Sequence, residues 1–208
     1  MALGARLLSL DANSAALADW VDQLVAVTAE WGLPHWRAQG TIGRGWVKVQ
    51  NGDVAEGISL LHSGSAAYRA TGAEIWMPHH LTLLARAYEI AGQFEESLTL
   101  LDKALQIVAR TGERWFAAEL NRHEGQLLLR EGQPEAAEAL YRKALSIAQE
   151  QEAKLWELRA AVSLARLRRD RGKRKEARDM LAPIYGWFTE GFDTADLKEA
   201  KALLEELG

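Results

Sequence analysis

Four glycines at a constant spacing of forty residues limit the folds that this chain can adopt. They are Gly52, Gly92, Gly132 and Gly172. Each is followed by a charged or amide side chain and then by a new run of apolar residues. A fixed period of this length is typical of repeat arrays, in which each repeat packs mainly on its neighbours. The sequence therefore predicts a row of similar repeats instead of one globular core.

The apolar periodicity predicts an all-α protein. Apolar residues recur at intervals of three and four, and the chain has only four prolines. Three of these, Pro34, Pro78 and Pro134, fall in first turns, where a missing N–H is tolerated. The predicted helices cover residues 14–30, 34–50, 54–70, 74–91, 94–110, 114–131, 134–151, 154–171, 174–189 and 194–207. Such helix pairs predict an α-solenoid that winds as a right-handed superhelix.

One repeat domain is expected to occupy residues 1–208. It contains a partial repeat at 1–30, four full repeats at 31–70, 71–110, 111–150 and 151–190, and a capping helix at 194–207. Residues 2–11 have the pattern of the tail of a helix without its beginning, which predicts that the chain is a fragment of a longer protein. The apolar face left open there predicts a homodimer of the isolated chain.

Small residues recur where the two helices of a repeat should approach each other. On the first helices they are Gly45, Ala85, Gly125 and Ala165, and on the second helices Gly57, Ser97, Ala137 and Ala177. Four residues after each of the latter stands a larger side chain, at Leu61, Leu101, Tyr141 and Leu181. These spacings are the tetratricopeptide pattern, lengthened by six residues from the usual period of about 34.

With these positions, the chain resembles the long-period tetratricopeptide arrays at the C-terminal end of large bacterial signalling proteins. In those proteins an ATPase module accompanies a class III adenylate or guanylate cyclase domain, or a helix-turn-helix activator domain of the LuxR type, as in the maltose regulator. The most specific stretches of the likeness are Trp156–Ala161 and Leu181–Leu197. The resemblance implies a non-enzymatic interaction or regulatory array. This chain contains neither a GxxxxGK[ST] phosphate loop nor a cyclase metal-carboxylate motif.

The resemblance also implies that a partner binds in a concave groove lined by the first helices. The candidate contacts are Trp46, His79, Arg86, Glu89, Glu119, Arg122, Gln126, Arg159, Arg166 and Arg169. Because a guanidinium group can hold a carboxylate with two hydrogen bonds, these arginines predict a protein or an acidic peptide as partner. Solvated, ion-paired helix faces are the alternative interpretation. A small-ligand sensor that controls an attached cyclase, ATPase or activator module is the alternative function.

Other classes of function find little support in the residues. The net charge of -4 gives no overall attraction to nucleic acid. The basic run 166–175 lacks interleaved aromatics, so a solvated turn is favoured over a phosphate-binding site. Neighbouring His79 and His80 point about 100° apart on a helix, a poor arrangement for a metal. No serine has a placed base. No catalytic residue, metal or cofactor is predicted.

The absence of cysteine and of a signal-peptide pattern predicts a cytoplasmic protein. No run reaches the roughly 20 apolar residues of a membrane-spanning helix. The eight tryptophans could form an aromatic ligand box. Several keep the forty-residue step, which favours packing between repeats, and Trp46 is the exception because it occupies a predicted groove position.

Overall fold

The computed structural model describes residues 14–208, and within this range every regular element is an α-helix. The helices are α1 Ser14–Glu30, α2 Pro34–Gln50, α3 Val54–Ala70, α4 Met77–Ile90, α5 Phe94–Thr111, α6 Ala117–Arg130, α7 Pro134–Glu150, α8 Lys154–Asp170, α9 Arg174–Tyr185 and α10 Ala195–Leu207. Consecutive helices pack as pairs, α2 with α3, α4 with α5, α6 with α7 and α8 with α9. The predicted all-α class and the α-solenoid of helix pairs are confirmed.

Three helix boundaries differ from the prediction by three or more residues. Helices α4 and α6 each begin three residues later than expected. Before α4, Trp76 adopts a left-handed backbone with φ +71°, and the Tyr68 hydroxyl donates to the Ile75 carbonyl at 2.7 Å. This turn cannot be part of the helix. Helix α9 ends at Tyr185, four residues early, and two residues after Pro183, which supplies no backbone N–H to the helix.

The glycines that set the forty-residue period close the first helix of each full repeat. All four have φ between +76° and +94°, a region that residues with a Cβ rarely adopt. At the first of them, the N–H of Asp53 donates to the carbonyl of Lys48 at 2.9 Å. This bond satisfies one of the carbonyls that a helix end leaves without an intrahelical partner. The forty-residue spacing of these glycines therefore follows from the left-handed backbone that ends each first helix.

The chain divides into two compact units, an N-terminal unit up to Gly112 and a C-terminal unit from Glu113 to Gly208. In the N-terminal unit, α1–α5 enclose a core that includes Ile42, Leu61, Tyr68 and Leu84. In the C-terminal unit, α8–α10 enclose a core that includes Leu158, Leu181 and Leu203. Residues 2–11, where the partial repeat and the dimer face were predicted, lie outside the described residues.

The small positions of each repeat lie where the helices of a pair touch. A Cβ atom on Gly57 would lie 2.7 Å from the carbonyl oxygen of Gly45, so α2 and α3 are in backbone contact there. At the same position of the next repeat, the Ser97 hydroxyl donates to the Ala85 carbonyl at 2.8 Å. In the C-terminal unit, the Tyr141 ring lies against Gly125. Any larger side chain at these positions would force the helices apart.

In each of two repeats, an ion pair joins the first and last few residues of the repeat. Arg110 holds both carboxylate oxygens of Glu74, at 2.8 and 3.0 Å. In the following repeat, Arg114 and Glu150 form the corresponding pair at 3.4 Å. Arg114 follows Glu74 by one period, and Glu150 follows Arg110 by one period. The two pairs therefore occupy the same positions of their repeats, but the acidic and basic residues are exchanged. We call these two pairs the edge ion pairs.

First helices lie beside one another within each unit. Helix α2 contacts α4 in the N-terminal unit, and α8 contacts both α6 and α10 in the C-terminal unit. Helix α10 thus takes the place beside α8 that the first helix of a further repeat would occupy. It buries Leu197, Ala200, Leu203 and Leu207 and exposes Lys198, Lys201 and Glu205 on its outer side.

Candidate functional site

Three of the predicted groove positions are buried and do not line an open groove. Trp46, His79 and Glu119 were predicted as partner contacts, but they are only 2%, 3% and 1% exposed. Arg86 of the next first helix covers Trp46, and Arg159 lies against Glu119. Trp46 is among the largest fully buried side chains of the chain, so the expectation that it differs from the packing tryptophans is not met. None of the three could touch a partner without rearrangement.

In the N-terminal unit, the predicted contacts that reach solvent lie at the C-terminal end of α4. The Arg86 guanidinium lies over the Trp46 ring, 4.6 Å from its centroid, and this stacking fixes the cation at the surface. Arg86 and Glu89 are half-buried. Ile90 next to them is 56% exposed. This part of the N-terminal unit therefore presents a mixed surface of charge and exposed apolar area.

In the C-terminal unit, three of the predicted contacts join in a buried ion-pair cluster. Arg122 donates to both oxygens of Glu119, at 2.6 and 2.9 Å. The guanidinium of Arg159 lies 3.5 Å from Glu119. His123 Nε2 lies 3.6 Å from the same carboxylate, and its Nδ1 lies 3.2 Å from the side-chain oxygen of Gln126. The cluster ties α6 to α8.

The Glu119 carboxylate of this cluster stays ionised over a wide pH range. Burial of the Glu119 carboxyl raises its pKa, but attraction to Arg122 and the hydrogen bonds from Arg122 outweigh burial and lower the pKa to about 2. Glu119 is therefore ionised at neutral pH. Since a buried carboxylate needs its cationic partner, Arg122 is held in a structural role and is not available to an acidic peptide.

Tyr141 is a second residue whose side-chain pKa is shifted in the folded chain. Burial raises the pKa of its phenol to about 12, with Arg122 opposing part of that rise. The folded state therefore keeps the proton that the unfolded chain loses near pH 10. The free energy of unfolding of the C-terminal unit should fall as pH rises from about 10 to 12. Urea titrations of wild type and Tyr141→Phe over this range measure the effect, and equal pH slopes would contradict the assignment.

The three α8 arginines that were predicted to hold an acidic partner are paired with carboxylates of α10. Arg159 donates twice to Asp196, both at 2.7 Å. Arg166 pairs with Glu199 and Arg169 with Glu206, each at 2.5 Å. The sequence interpretation missed the acidic residues of α10. Asp196 and Glu206 both lie 37 residues after their partners, so a search for acidic residues slightly less than one period after each arginine could have found them.

Most arginines of the basic run 166–175 also have partners within the C-terminal unit. Arg171 pairs with Glu135 at 2.9 Å and with Glu138 at 2.5 Å. Arg168 donates to the sulfur of Met180, and Arg174 donates to the carbonyl of Glu206. The sequence interpretation favoured a solvated turn here and did not foresee these pairings.

Near the end of α6, residues of the C-terminal unit reach solvent. Gln126 and Leu129 are half-buried, and Arg130 is exposed. The corresponding residues of the N-terminal unit are Arg86, Glu89 and Ile90, each forty residues earlier. We call these two sets the N-terminal and the C-terminal first-helix surface.

The tryptophans that keep the forty-residue step pack within their units. Trp156 is buried, and its ring meets that of Phe116 edge to face, with centroids 5.5 Å apart. Trp31 and Trp187 lie out of step and are 71% and 58% exposed. The described residues contain no group of three or more His, Asp or Glu side chains placed to hold a metal. From residue 14 onward, no helix is long and apolar enough to cross a membrane.

Helix pairs closed by glycine turns, with their first helices side by side, define a helical repeat protein of the α-solenoid class. Residues 76–150 and 116–182 each match the tetratricopeptide repeat family, and together they cover just over half of the chain. The chain therefore belongs to the tetratricopeptide repeat family. Proteins with this fold are typically interaction scaffolds, and no catalytic family is found.

A curated relative is an uncharacterized protein of Rhizobium meliloti (strain 1021). It is 27% identical over 168 residues, which cover 77% of this chain and 16% of the relative. The chain thus spans about one sixth of the length of the relative that it matches.

Several solved structures share the fold. BtubC from P. vanneervenii is similar with a TM-score of 0.69 and 15% identity, over 93% of this chain and 87% of that chain. A Rap protein solved in complex with Competence and Sporulation Factor is similar with a TM-score of 0.65 and 13% identity, over 94% of this chain and 59% of that one. At these identities the likeness concerns the fold alone.

Proposed function

We propose that this chain is a non-enzymatic interaction array that binds a protein or peptide through its first-helix surfaces. The observation that carries the proposal is the division of the first helices. Trp46, His79 and the Glu119 cluster are buried within them, whereas the C-terminal ends of α4 and α6 keep charged and apolar side chains at the surface. Surfaces of this kind are what repeat arrays use for partners.

The chemistry of each surface describes the segment that would fit it. On the N-terminal surface, Ile90 offers apolar area beside Arg86 and Glu89, which suits an apolar side chain flanked by polar ones. On the C-terminal surface, Arg130 suits a carboxylate. Arg122, Arg159, Arg166 and Arg169, which the sequence interpretation assigned to an acidic partner, are paired within the chain and do not support that preference.

The setting of the array is part of the same proposal. We propose that the chain is a regulatory segment of a larger bacterial signalling protein of the cytoplasm. Support comes from the bacterial relative, of which the chain matches 16%, and from the stretches 156–161 and 181–197. A homodimer through the N-terminal end is also proposed, because Trp20, Val27 and Trp31 are exposed along α1 and the following turn.

Selection of peptides from a random library against the immobilised chain tests the binding proposal. Arg130→Glu should weaken the binding of the selected peptides by about tenfold, because the new carboxylate repels a carboxylate of the peptide at the C-terminal surface. Lys143→Glu is the matched control, because Lys143 is an exposed cation on α7 of the same unit. The proposal fails if both variants bind alike, or if no peptide is selected.

A further inference from the structure

A pocket of about 380 Å³ lies in the N-terminal unit away from the first-helix surface. Helices α3, α4 and α5 form it. Its volume is in the range of small-molecule sites, roughly 300 to 1,000 Å³. On one side of the pocket, Nε2 of His62 on α3 and the hydroxyl of Tyr88 on α4 lie 2.7 Å apart. This hydrogen bond fixes two aromatic rings as one wall.

The His62–Tyr88 pair is not a requirement of the repeat. One period after His62 stands Asp102, and two periods after it stands Arg142. The positions equivalent to Tyr88 hold residues of three other types, Lys48, Leu128 and Arg168. A contact needed for packing would be expected to recur in an array whose small and large positions recur so regularly. The aromatic wall is therefore peculiar to this one repeat.

The second wall is a single face of α5 with opposite charges at its two ends. Glu95 and Glu96 line the pocket in the first turn of the helix, and Lys103 lines it two turns later. Seven residues separate Glu96 from Lys103, which is roughly 10 Å along the helix axis. Leu100 lines the pocket between them. The wall is thus acidic, then apolar, then basic.

We propose that this pocket binds a small zwitterion whose ammonium and carboxylate groups are several bonds apart, as in an ω-amino acid or a dipeptide. The ammonium group lies between Glu95 and Glu96 and the Tyr88 ring, where ion pairing and cation–π attraction act together. The carboxylate meets Lys103. The chain between the two charges lies on Leu100. This site is independent of the partner-binding surfaces proposed above.

The probe for this site is ε-aminocaproic acid, an unbranched zwitterion of suitable length. Titration into the full chain should shift the NMR signals of the His62 ring, which His62→Asn assigns. Caproic acid and hexylamine each lack one of the two charges and should bind about tenfold more weakly or worse. This comparison separates recognition of a zwitterion from adsorption of either charge alone.

Substitutions in the pocket test whether the zwitterion binds there. Lys103→Met and Glu96→Gln should each weaken the binding of ε-aminocaproic acid by about tenfold. Lys143→Met is the matched control, since Lys143 occupies the position of Lys103 one period later, outside the pocket, and should bind as wild type does. Circular dichroism checks that all variants remain helical. The proposal is overturned if His62 does not respond, if hexylamine binds as tightly as the zwitterion, or if Lys143→Met and Lys103→Met behave alike.

Discussion

Glu119→Gln is expected to lower the free energy of unfolding of the C-terminal unit by about 3 kcal/mol, the scale for removing one partner of a buried ion pair. Glutamine keeps the size of the side chain, so the loss reports charge and not volume. Without the carboxylate, the buried guanidinium of Arg122 loses its counter-charge and one of the two oxygens that accept its hydrogen bonds. Urea unfolding followed by circular dichroism measures the difference.

The same substitution has a signature in pH. The folded pKa of Glu119 is about 2, below the ordinary value of roughly 4.3 for a glutamate in an unfolded chain. Its contribution to stability is therefore present above that value and is lost as pH falls toward 2. Glu119→Gln should remove this part of the acid dependence.

Glu150→Gln is the matched control for both measurements, because Glu150 belongs to an exposed ion pair of the same unit. Exposed pairs contribute little, so a small change is expected. If Glu119→Gln destabilises no more than Glu150→Gln does, the buried cluster does not stabilise the unit.

Gly57→Ala is expected to destabilise the N-terminal unit by about 1 to 3 kcal/mol. In an ordinary helix interior the same change is favourable by roughly 0.5 to 1 kcal/mol. The sign reverses here because the new methyl group would lie 2.7 Å from the Gly45 carbonyl oxygen and 2.9 Å from the Val49 nitrogen. Both are backbone atoms, so relief requires that α2 and α3 separate. Thermal unfolding of the two proteins measures the change.

Gly186→Ala provides the comparison. A Cβ atom there would lie 3.3 Å from its nearest neighbour, the Ala182 carbonyl oxygen, and the backbone is already right-handed with φ -67°. Little change in stability is expected. Equal melting temperatures for Gly57→Ala and wild type would mean that the helices of this pair do not touch through their backbones.

Most of the fold could be predicted because the same sequence features recur in every repeat. Each glycine turn and each small position is a local requirement that appears once per period. The boundaries of α4 and α6 could not be predicted in this way. The left-handed backbone of Trp76 depends on surroundings such as the hydrogen bond from Tyr68 to Ile75, and nothing in the sequence around Trp76 indicates it.

The candidate site was predicted less well than the fold, for a different physical reason. The sequence showed that Arg159 and Arg166 lie on one helix face, but it did not show what would cover that face. Burial of Trp46 and His79 likewise depends on how closely neighbouring first helices pack. Whether a charged position is free or paired is decided by residues about 37 positions away, and a periodic pattern does not specify them.

The edge ion pairs bear on how such an array could change during evolution. Glu74 and Arg110 belong to one forty-residue block, and Arg114 and Glu150 belong to the next. Duplication or deletion of a whole block would therefore keep opposite charges together. A genetic crossover between equivalent points in the middle of the two blocks would instead unite Glu74 with Glu150, or Arg114 with Arg110. We expect descendants of this chain to have gained and lost repeats as complete blocks.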